Sequence, residues 1–491
     1  MSFSPLKKSI TVPAERLGFV VLLPFDFHYK ERDEKEKLID EQRDELERLL
    51  DERNPQGLKK LLENETPQDI ATLFAELDDE KLAIAFRILP KETAAETFVE
   101  MDRDAQETLI RSFSDMRLHE IFDEMFLDDT VDIIEEMPAN VVKRIIATSD
   151  AETRRAINEL LHYPEDSAGS IMTVEYVSLK PEMTVRQAID HIRETGVDKE
   201  TIYTCYVTDD YRHLLGVCTA KDLLLADAAT LVSAIMDTNV IYASTTEDKE
   251  DVAKEMSKYD FLAMPVADKE KRLVGIVTFD DAIDVIEDEA TEDIEKMAAI
   301  TPSDKPYLKT SPFEIWKSRI PWLLLLMVSA TFTGQIISSF ENQLAAQAAL
   351  IAFIPMLMDT GGNAGSQASV TVIRGLALGD ISIRNIFSIL WKECRVSILC
   401  GVTLAGCSFV KILLVDNLIF GSNISLTVDL VVCLTLVLTV IAAKLVGCSL
   451  PVLAKRIGFD PAVMASPFIT TIVDAISLLL YFAIAKAFLN L

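Results

Sequence analysis

Between residues 321 and 488 the chain holds five apolar bands, each long enough to cross a lipid bilayer, and nothing else in it narrows the possible folds as far. They run roughly Pro321–Phe340, Leu344–Arg374 (long and interrupted), Arg395–Val415, Leu426–Leu450 and Pro467–Phe488. In hydrocarbon every backbone N–H and C=O must be satisfied within the protein, so such bands are expected to be helices. Their flanks set the orientation. Lys317 and Arg319 precede the first band, Arg374, Arg384, Lys392 and Arg395 lie between the second and third, and Lys455 and Arg456 between the fourth and fifth. The loop Glu341-Asn342-Gln343 has no Lys or Arg, and Asp416, Asn417 and Asn423 mark the other. Positive charge marks the cytosolic side, which places the large N-terminal region in the cytosol and the C-terminus outside. Lys411 and Lys444 do not fit this pattern and are expected to snorkel or to face a cavity.

Two bands carry polar side chains that a lipid-facing helix has no use for. The second contains Pro355-Met-Leu-Met-Asp-Thr-Gly-Gly-Asn-Ala-Gly-Ser-Gln-Ala-Ser-Val-Thr-Val-Ile-Arg374, with Asp359, Asn363, Ser366, Gln367 and three glycines. Irregular Gly-rich backbone is tolerated at membrane depth only where protein buries it or it lines a wet cavity. The stretch therefore reads as a Gly-Gly turn lining a path for water or a hydrated ion, or else as a small-residue seam along which helices pack. The last band carries Thr470, Thr471 and Asp474, which share a helix face at spacings of four and three. A carboxylate at the bilayer centre costs roughly 2.5 to 3.5 kcal/mol, so a partner is expected: either Lys444 or a permeating cation.

The net charge of -30 argues against nucleic acid as a partner. Seven cysteines without CxxC spacing imply neither a zinc site nor a disulfide framework, and the five histidines are scattered. A metal here would be hard and oxygen-ligated: Mg²⁺, Ca²⁺ or Mn²⁺. No nucleophile–base constellation points to an enzyme.

Leu17–Phe27 is apolar but too short to span, and residues 1–37 stay unassigned. Residues 38–163 show apolar spacings of three and four, with prolines at 55, 67, 90 and 138 suited to the starts of short helices. An all-α superhelical stack is expected. Two tandem copies of a strand–helix–strand–strand–helix unit follow at 164–229 and 230–287. Leu214-Leu-Gly-Val-Cys-Thr-Ala-Lys-Asp222 in the first answers to Leu273-Val-Gly-Ile-Val-Thr-Phe-Asp-Asp281 in the second. The repeat resembles a pair of CBS domains, α/β modules that often bind adenine nucleotides such as ATP. The resemblance places Thr219, Asp222, Thr278 and Asp281 where they would touch ribose. As helix caps the same residues have a plain structural use. Beyond the repeat, no Lys or Arg occurs between Leu273 and Glu295. Asp281, Asp284 and Asp288 share one face of the expected helix, where each like-charge pair costs roughly 0.2 to 0.5 kcal/mol. Such a helix either invites a counter-ion or is a solvated linker over 288–319.

An acidic helical N-domain, a CBS pair, an acidic linking helix and a five-span domain at 320–491 together resemble the MgtE family of magnesium transporters. The most specific pieces are Gly361-Gly-Asn-Ala-Gly-Ser-Gln367 with Arg374, Glu289-Ala-Thr-Glu-Asp-Ile294, and Asp460-Pro-Ala462 with Ser466-Pro467 and Asp474. The resemblance implies a homodimer in the plasma or inner membrane that moves Mg²⁺ into the cytosol, with the pore on the dimer axis. Asp474, Thr470, Ser466 and Asn363 would line that pore. It also implies that Asp128, Asp132, Asp260, Asp281, Asp284, Glu289, Glu292 and Asp293 bind cytosolic Mg²⁺ between the acidic domains and so close it. Ser366 and Ser466 stand where some members have Asn, and Asp359 adds a carboxylate. Rival readings are a path for Mn²⁺ or Co²⁺, and a membrane-anchored adenine-nucleotide sensor.

Overall fold

The computed structural model describes residues 29–489 apart from 304, 306, 309, 423 and 465. They form two compact units: one of residues 29–249 with Phe261–Thr278, the other of Glu250–Asp260 with residues 279–489.

The first unit opens with ten helices: α1 (Tyr29–Asp51), α2 (Pro55–Leu62), α3 (Pro67–Phe74), α4 (Asp79–Phe86), α5 (Lys91–Val99), α6 (Arg103–Ser112), α7 (Asp115–Phe122), α8 (Leu127–Glu136), α9 (Ala139–Thr148) and α10 (Ala151–Leu160). Prolines start four of them, in two ways. Pro55 and Pro67 occupy the first helical position, where a missing N–H costs nothing, behind Asn54 and Thr66 side chains that accept from the N–H groups of Gly57 and Asp69. Pro90 and Pro138 sit one residue earlier, at the cap itself. Alternate helices pack, α3 on α5, α5 on α7, α7 on α9 and α4 on α6, so each short amphipathic helix buries its stripe against a neighbour two places on. Phe86, Phe98, Phe113 and Phe122 fill the resulting core with ring centroids 5.4 to 6.0 Å apart.

The internal repeat becomes two three-stranded sheets. In the first copy β1 (Tyr176–Leu179), α11 (Val185–Thr195), β2 (Thr201–Thr208), β3 (Leu214–Thr219) and α12 (Ala220–Leu225) follow in order. The second has β4 (Ala243–Ser244), α13 (Lys249–Tyr259), β5 (Ala263–Ala267), β6 (Leu273–Thr278) and α14 (Phe279–Met297). In each sheet the first strand lies parallel to the central one and the third antiparallel to it. The register slips at matching points, between Val207 and Thr208 and between Val266 and Ala267. The two sheets meet through Tyr206, Ala263, Leu273 and Ile276, with Tyr176 edge-on to Tyr206 at 6.0 Å.

The second unit is helical. After α14 come α15 (Pro312–Ser339), α16 (Glu341–Ala346), α17 (Ile354–Ala377), α18 (Ile386–Lys411), α19 (Leu426–Arg456) and α20 (Ser466–Leu489). Helix α14 has no Gly or Pro and runs unbroken across residues 287 and 288, where a boundary was expected. The first span begins at Pro312 rather than near Pro321, because Ser311 and Glu314 form a reciprocal capping box there. Pro321 lies inside the helix. The third band begins earlier than expected, at Ile386, and ends in wider π-type turns over Ile412–Ile419.

Among the described residues four helices are long and apolar enough to cross a membrane: Pro312–Ser339, Ile383–Ile419, Leu426–Arg456 and Ala462–Leu489. The fifth expected span, α17, has 24 residues but too many polar ones to qualify on apolarity. It packs in the bundle against α19 and α20. Tyr481 ties the bundle by donating its hydroxyl to the Leu350 carbonyl at 3.0 Å, beneath a cluster that includes Phe353, Leu357, Val432 and Phe482.

Candidate ion pathway and acidic docking site

The Gly-rich stretch forms no turn: it is regular helix throughout α17. Its glycines serve packing. A Cβ on Gly361 would stand 2.8 Å from Thr439, one on Gly365 2.7 Å from Ile469, and one on Gly447 of α19 only 2.2 Å from the Gly365 carbonyl oxygen. With backbones this close, larger residues are excluded, as in membrane seams of small residues. The buried face thus holds Gly361, Gly362, Ala364, Gly365, Ala368 and Ser369. The opposite face carries exposed Asp359, Asn363, Gln367 and Thr371, four residues apart and so in one stripe. Seam and polar path are therefore two sides of one helix.

Asp359, Thr360, Asn363 and Gln367 line a cavity of about 530 Å³ whose other walls come from α18 and α19. Six waters occupy about 180 Å³ at liquid density, so a hydrated ion fits. On α20, Thr470 lies against Gly362, where a Cβ would come within 3.0 Å of the threonine methyl. Asp474, one turn further on, is half-buried and within electrostatic range of Asp359. Its Oδ1 is buried without a hydrogen-bond partner. Ser466 opens α20, but its side chain lies outside the described residues.

Lys444 is not the partner of Asp474. Its Nζ lies 3.6 Å from the carboxylate of Glu393 on α18, an ion pair buried within the bundle. Lys411 instead meets Asp416 at 2.8 Å, at the end of its helix. Glu393 was missed in the sequence because it stands between Lys392 and Arg395 and reads with them as a charged flank.

The second site joins α14 to the membrane domain. Lys296 bridges two carboxylates, Glu292 at 2.6 Å and Asp460 at 2.8 Å, and Met297 packs with Ile373 and Ala462. Asp293 sits beside them. Burial pushes its carboxyl up to about 6, helped by the nearby Asp460 and Glu250 charges and opposed by Lys296. A small cavity of about 70 Å³ opens among Glu250, Asp293, Lys455 and Asp460. Asp460 precedes α20, the helix of Asp474, so the linking helix holds the root of the helix that carries the intramembrane carboxylate. Lys296 was not singled out from the sequence. Its signal was local: it is the first basic residue after the acidic run and stands four residues from Glu292.

The other expected residues lie on several elements of the two units. Asp128 is buried and Asp132 exposed, both on α8. Asp260 follows α13 in a left-handed conformation, φ 55°. Asp281, Asp284 and Glu289 lie on α14. Among the described residues no three His, Cys, Asp or Glu side chains are grouped to hold a metal ion. Thr219 and Asp222 form a full capping box on α12, with Thr219 Oγ1 donating to Asp222 at 2.5 Å. Thr278 ends β6 and is buried.

Comparison with known proteins fits this geometry. Residues 354–484 match the family described as divalent cation transporter, 65–166 the MgtE intracellular N domain, and 168–229 and 232–288 the CBS domain. The magnesium transporter MgtE of Thermus thermophilus is 38% identical over 411 residues, covering 83% of this chain and 89% of that protein. The chain belongs to the MgtE family of magnesium transporters. MgtE of Bacillus subtilis is 35% identical over 395 residues, 80% of this chain and 85% of its own length. A crystal structure of the cytosolic domain of the Mg²⁺ channel MgtE in complex with ATP is 38% identical at TM-score 0.48, covering 50% of this chain and 99% of that one. This MgtE chain is thus a membrane-embedded transporter for Mg²⁺ and not an enzyme.

Proposed function

We propose that this MgtE protein is a homodimeric, Mg²⁺-selective channel of the cell membrane, closed by cytosolic Mg²⁺. The observation that carries the pathway is Asp474, an intramembrane carboxylate with a buried oxygen that has no hydrogen-bond partner. Beside it runs the stripe Asp359, Asn363 and Gln367, exposed in a single chain. Such a face is not left against hydrocarbon. A second copy applying the same face around a two-fold axis would enclose it, with Asp474 facing its mate. Mg²⁺ dehydrates reluctantly, so two carboxylates and the oxygens of Asn363, Thr470 and Ser466 suit it better than a closed cage. With the N-terminal domains in the cytosol and the C-terminus outside, a divalent ion gains about 4.6 kcal/mol per 100 mV on moving inward.

Closure follows from charge. Asp128, Asp132, Asp260, Asp281, Asp284, Glu289, Glu292 and Asp293 repel in the absence of cations, and Mg²⁺ bound among them favours the arrangement in which α14 is docked. Binding shifts the population only if the closed state holds Mg²⁺ more tightly than the open one. The paired Thr-x-x-Asp segments, Thr219 to Asp222 and Thr278 to Asp281, support ATP or another adenine nucleotide as a second ligand of the CBS pair.

The decisive experiment is ion flux into proteoliposomes with Mg²⁺, Mn²⁺, Co²⁺ and Ca²⁺ compared. Mg²⁺ is expected to pass in preference, and Asp474→Ala to abolish or strongly reduce flux in a protein that still assembles. Near-normal flux in that variant removes Asp474 from the path, and preference for Mn²⁺ or Co²⁺ replaces the assigned ion.

A further inference from the structure

The connector after α14 folds back onto the first span. The Thr301 N–H donates to the Ser318 carbonyl at 3.0 Å, and the Ser303 N–H to the Glu295 carboxylate at 3.0 Å. The fold encloses a cavity of about 680 Å³, walled by Thr291 and Glu295 of α14, Ser303 and Lys305 of the connector, and Lys317 and Arg319 of α15. Its acidic groups are engaged already. Glu295 accepts from Ser303, while Glu314 accepts from the Ser311 N–H and stands 3.6 Å from Lys305. Lys317 and Arg319 have no ion-pair partner among the described residues, which leaves their charges for something else.

Their position says what. They stand where the chain enters the first apolar span, at the cytosolic membrane edge. Tyr307, Phe313 and Trp316 are 71%, 70% and 52% exposed around them, with Phe313 stacked on Trp316 at 5.2 Å. Exposed aromatic rings at a span terminus settle at the depth of lipid headgroups. We propose that this cavity seats the headgroup phosphate of an anionic phospholipid of the cytosolic leaflet. The Arg319 guanidinium offers a planar fork for the phosphate and Lys317 a point charge. The lipid spans two helices, α14 on one wall and α15 on the other, so its binding steadies the linking helix against the first span.

Native mass spectrometry of the full-length protein tests this, with phosphatidylglycerol, phosphatidylcholine and inorganic phosphate as separate probes. Phosphatidylglycerol is expected to be retained over phosphatidylcholine and not to be displaced by millimolar inorganic phosphate. In Lys317→Gln/Arg319→Gln its affinity should fall by about twenty-five-fold, some five-fold per charge removed. The charge-conserving Lys317→Arg/Arg319→Lys should keep most of it. Arg384→Gln/Lys392→Gln, on another cytosolic flank, should lose far less. Equal losses in the two charge-removing variants would reduce the effect to general surface attraction and overturn the site. Displacement by inorganic phosphate, or no preference over phosphatidylcholine, would overturn the lipid assignment.

Discussion

Replacing Lys296 by Gln should release the linking helix from the membrane domain. The ammonium lies 2.6 Å from Glu292 and 2.8 Å from Asp460, with the three side chains 23%, 37% and 33% exposed. At 2.8 Å and an effective dielectric of 20, the bare attraction is about 6 kcal/mol per pair. Exposed pairs retain about 0 to 1 kcal/mol of that, while breaking a buried pair costs about 3 to 5. A bridge roughly one-third exposed falls between, at about 1 to 3 kcal/mol, which is a 5- to 150-fold change in an equilibrium. Amide hydrogen exchange along α14 should therefore quicken by about that factor in Mg²⁺-free buffer. Acidity should act in the opposite sense. The Asp293 carboxyl is raised from its ordinary 3.8 to about 6 by burial and by Asp460, so the docked helix prefers it protonated. That contribution is complete below about pH 4 and is lost as pH rises through about 6. Because Asp293 is half-exposed, screening holds the contribution to about 1 kcal/mol or less. Protection of α14, corrected for intrinsic exchange, should thus be greater at pH 5 than at pH 7.5. Unchanged exchange in Lys296→Gln, or protection that grows with pH, would refute the docking account.

Three further outcomes follow. Neutralising Asp281, Asp284, Glu289 and Glu292 together should leave currents insensitive to internal Mg²⁺ stepped from micromolar to about 10 mM, near the weak end of oxygen-ligand sites; a wild-type response in patch recordings would return α14 to a solvated linker. Gly447→Ala puts a Cβ 2.2 Å from the Gly365 carbonyl and should lower thermal stability in detergent by about 1 to 3 kcal/mol, so an unchanged Tm would mean the helices are not in contact there. Thr219→Val should cost about 1 kcal/mol through the lost cap of α12; if calorimetry on the full-length variant also shows weaker ATP binding, Thr219 has a ligand role, and if ATP affinity is unchanged it is a cap alone.

What could be read in advance was what depends on neighbours in sequence. Prolines at 55, 67, 90 and 138 marked helix starts, and the paired Leu214 and Leu273 segments marked two equal sheets. The Ser311-to-Glu314 capping box is also local, but the apolar signal starting at Pro321 is stronger and masks it. The misreadings came from distant partners. Glycines at 361, 362 and 365 look like a broken helix until Thr439, Thr470 and Ile469, more than seventy residues away, are seen to fill the space side chains would take. The choice between Lys444 and a cation as the partner of Asp474 stays open in the sequence because Glu393, the carboxylate that Lys444 meets, lies 51 residues before it. The bridge from Lys296 to Asp460 links residues 164 apart, a distance that neither helical period nor charge pattern registers.

The two-faced build of α17 bears on how the protein is made. A segment enters the bilayer from the insertion machinery when its summed transfer energy is favourable, and one Asp near the centre opposes that by about 2.5 to 3.5 kcal/mol. With Asp359, Asn363, Gln367 and three glycines, this helix is the one of the five that lacks apolarity enough to go in alone. Its partition into the membrane depends on chain synthesised later: Gly447 on α19, and Ile469 and Val473 on α20, supply the surface its small-residue face meets. Nascent chains halted after residue 377 should leave this segment at the interface, and the same segment should become membrane-integral once α19 and α20 have emerged.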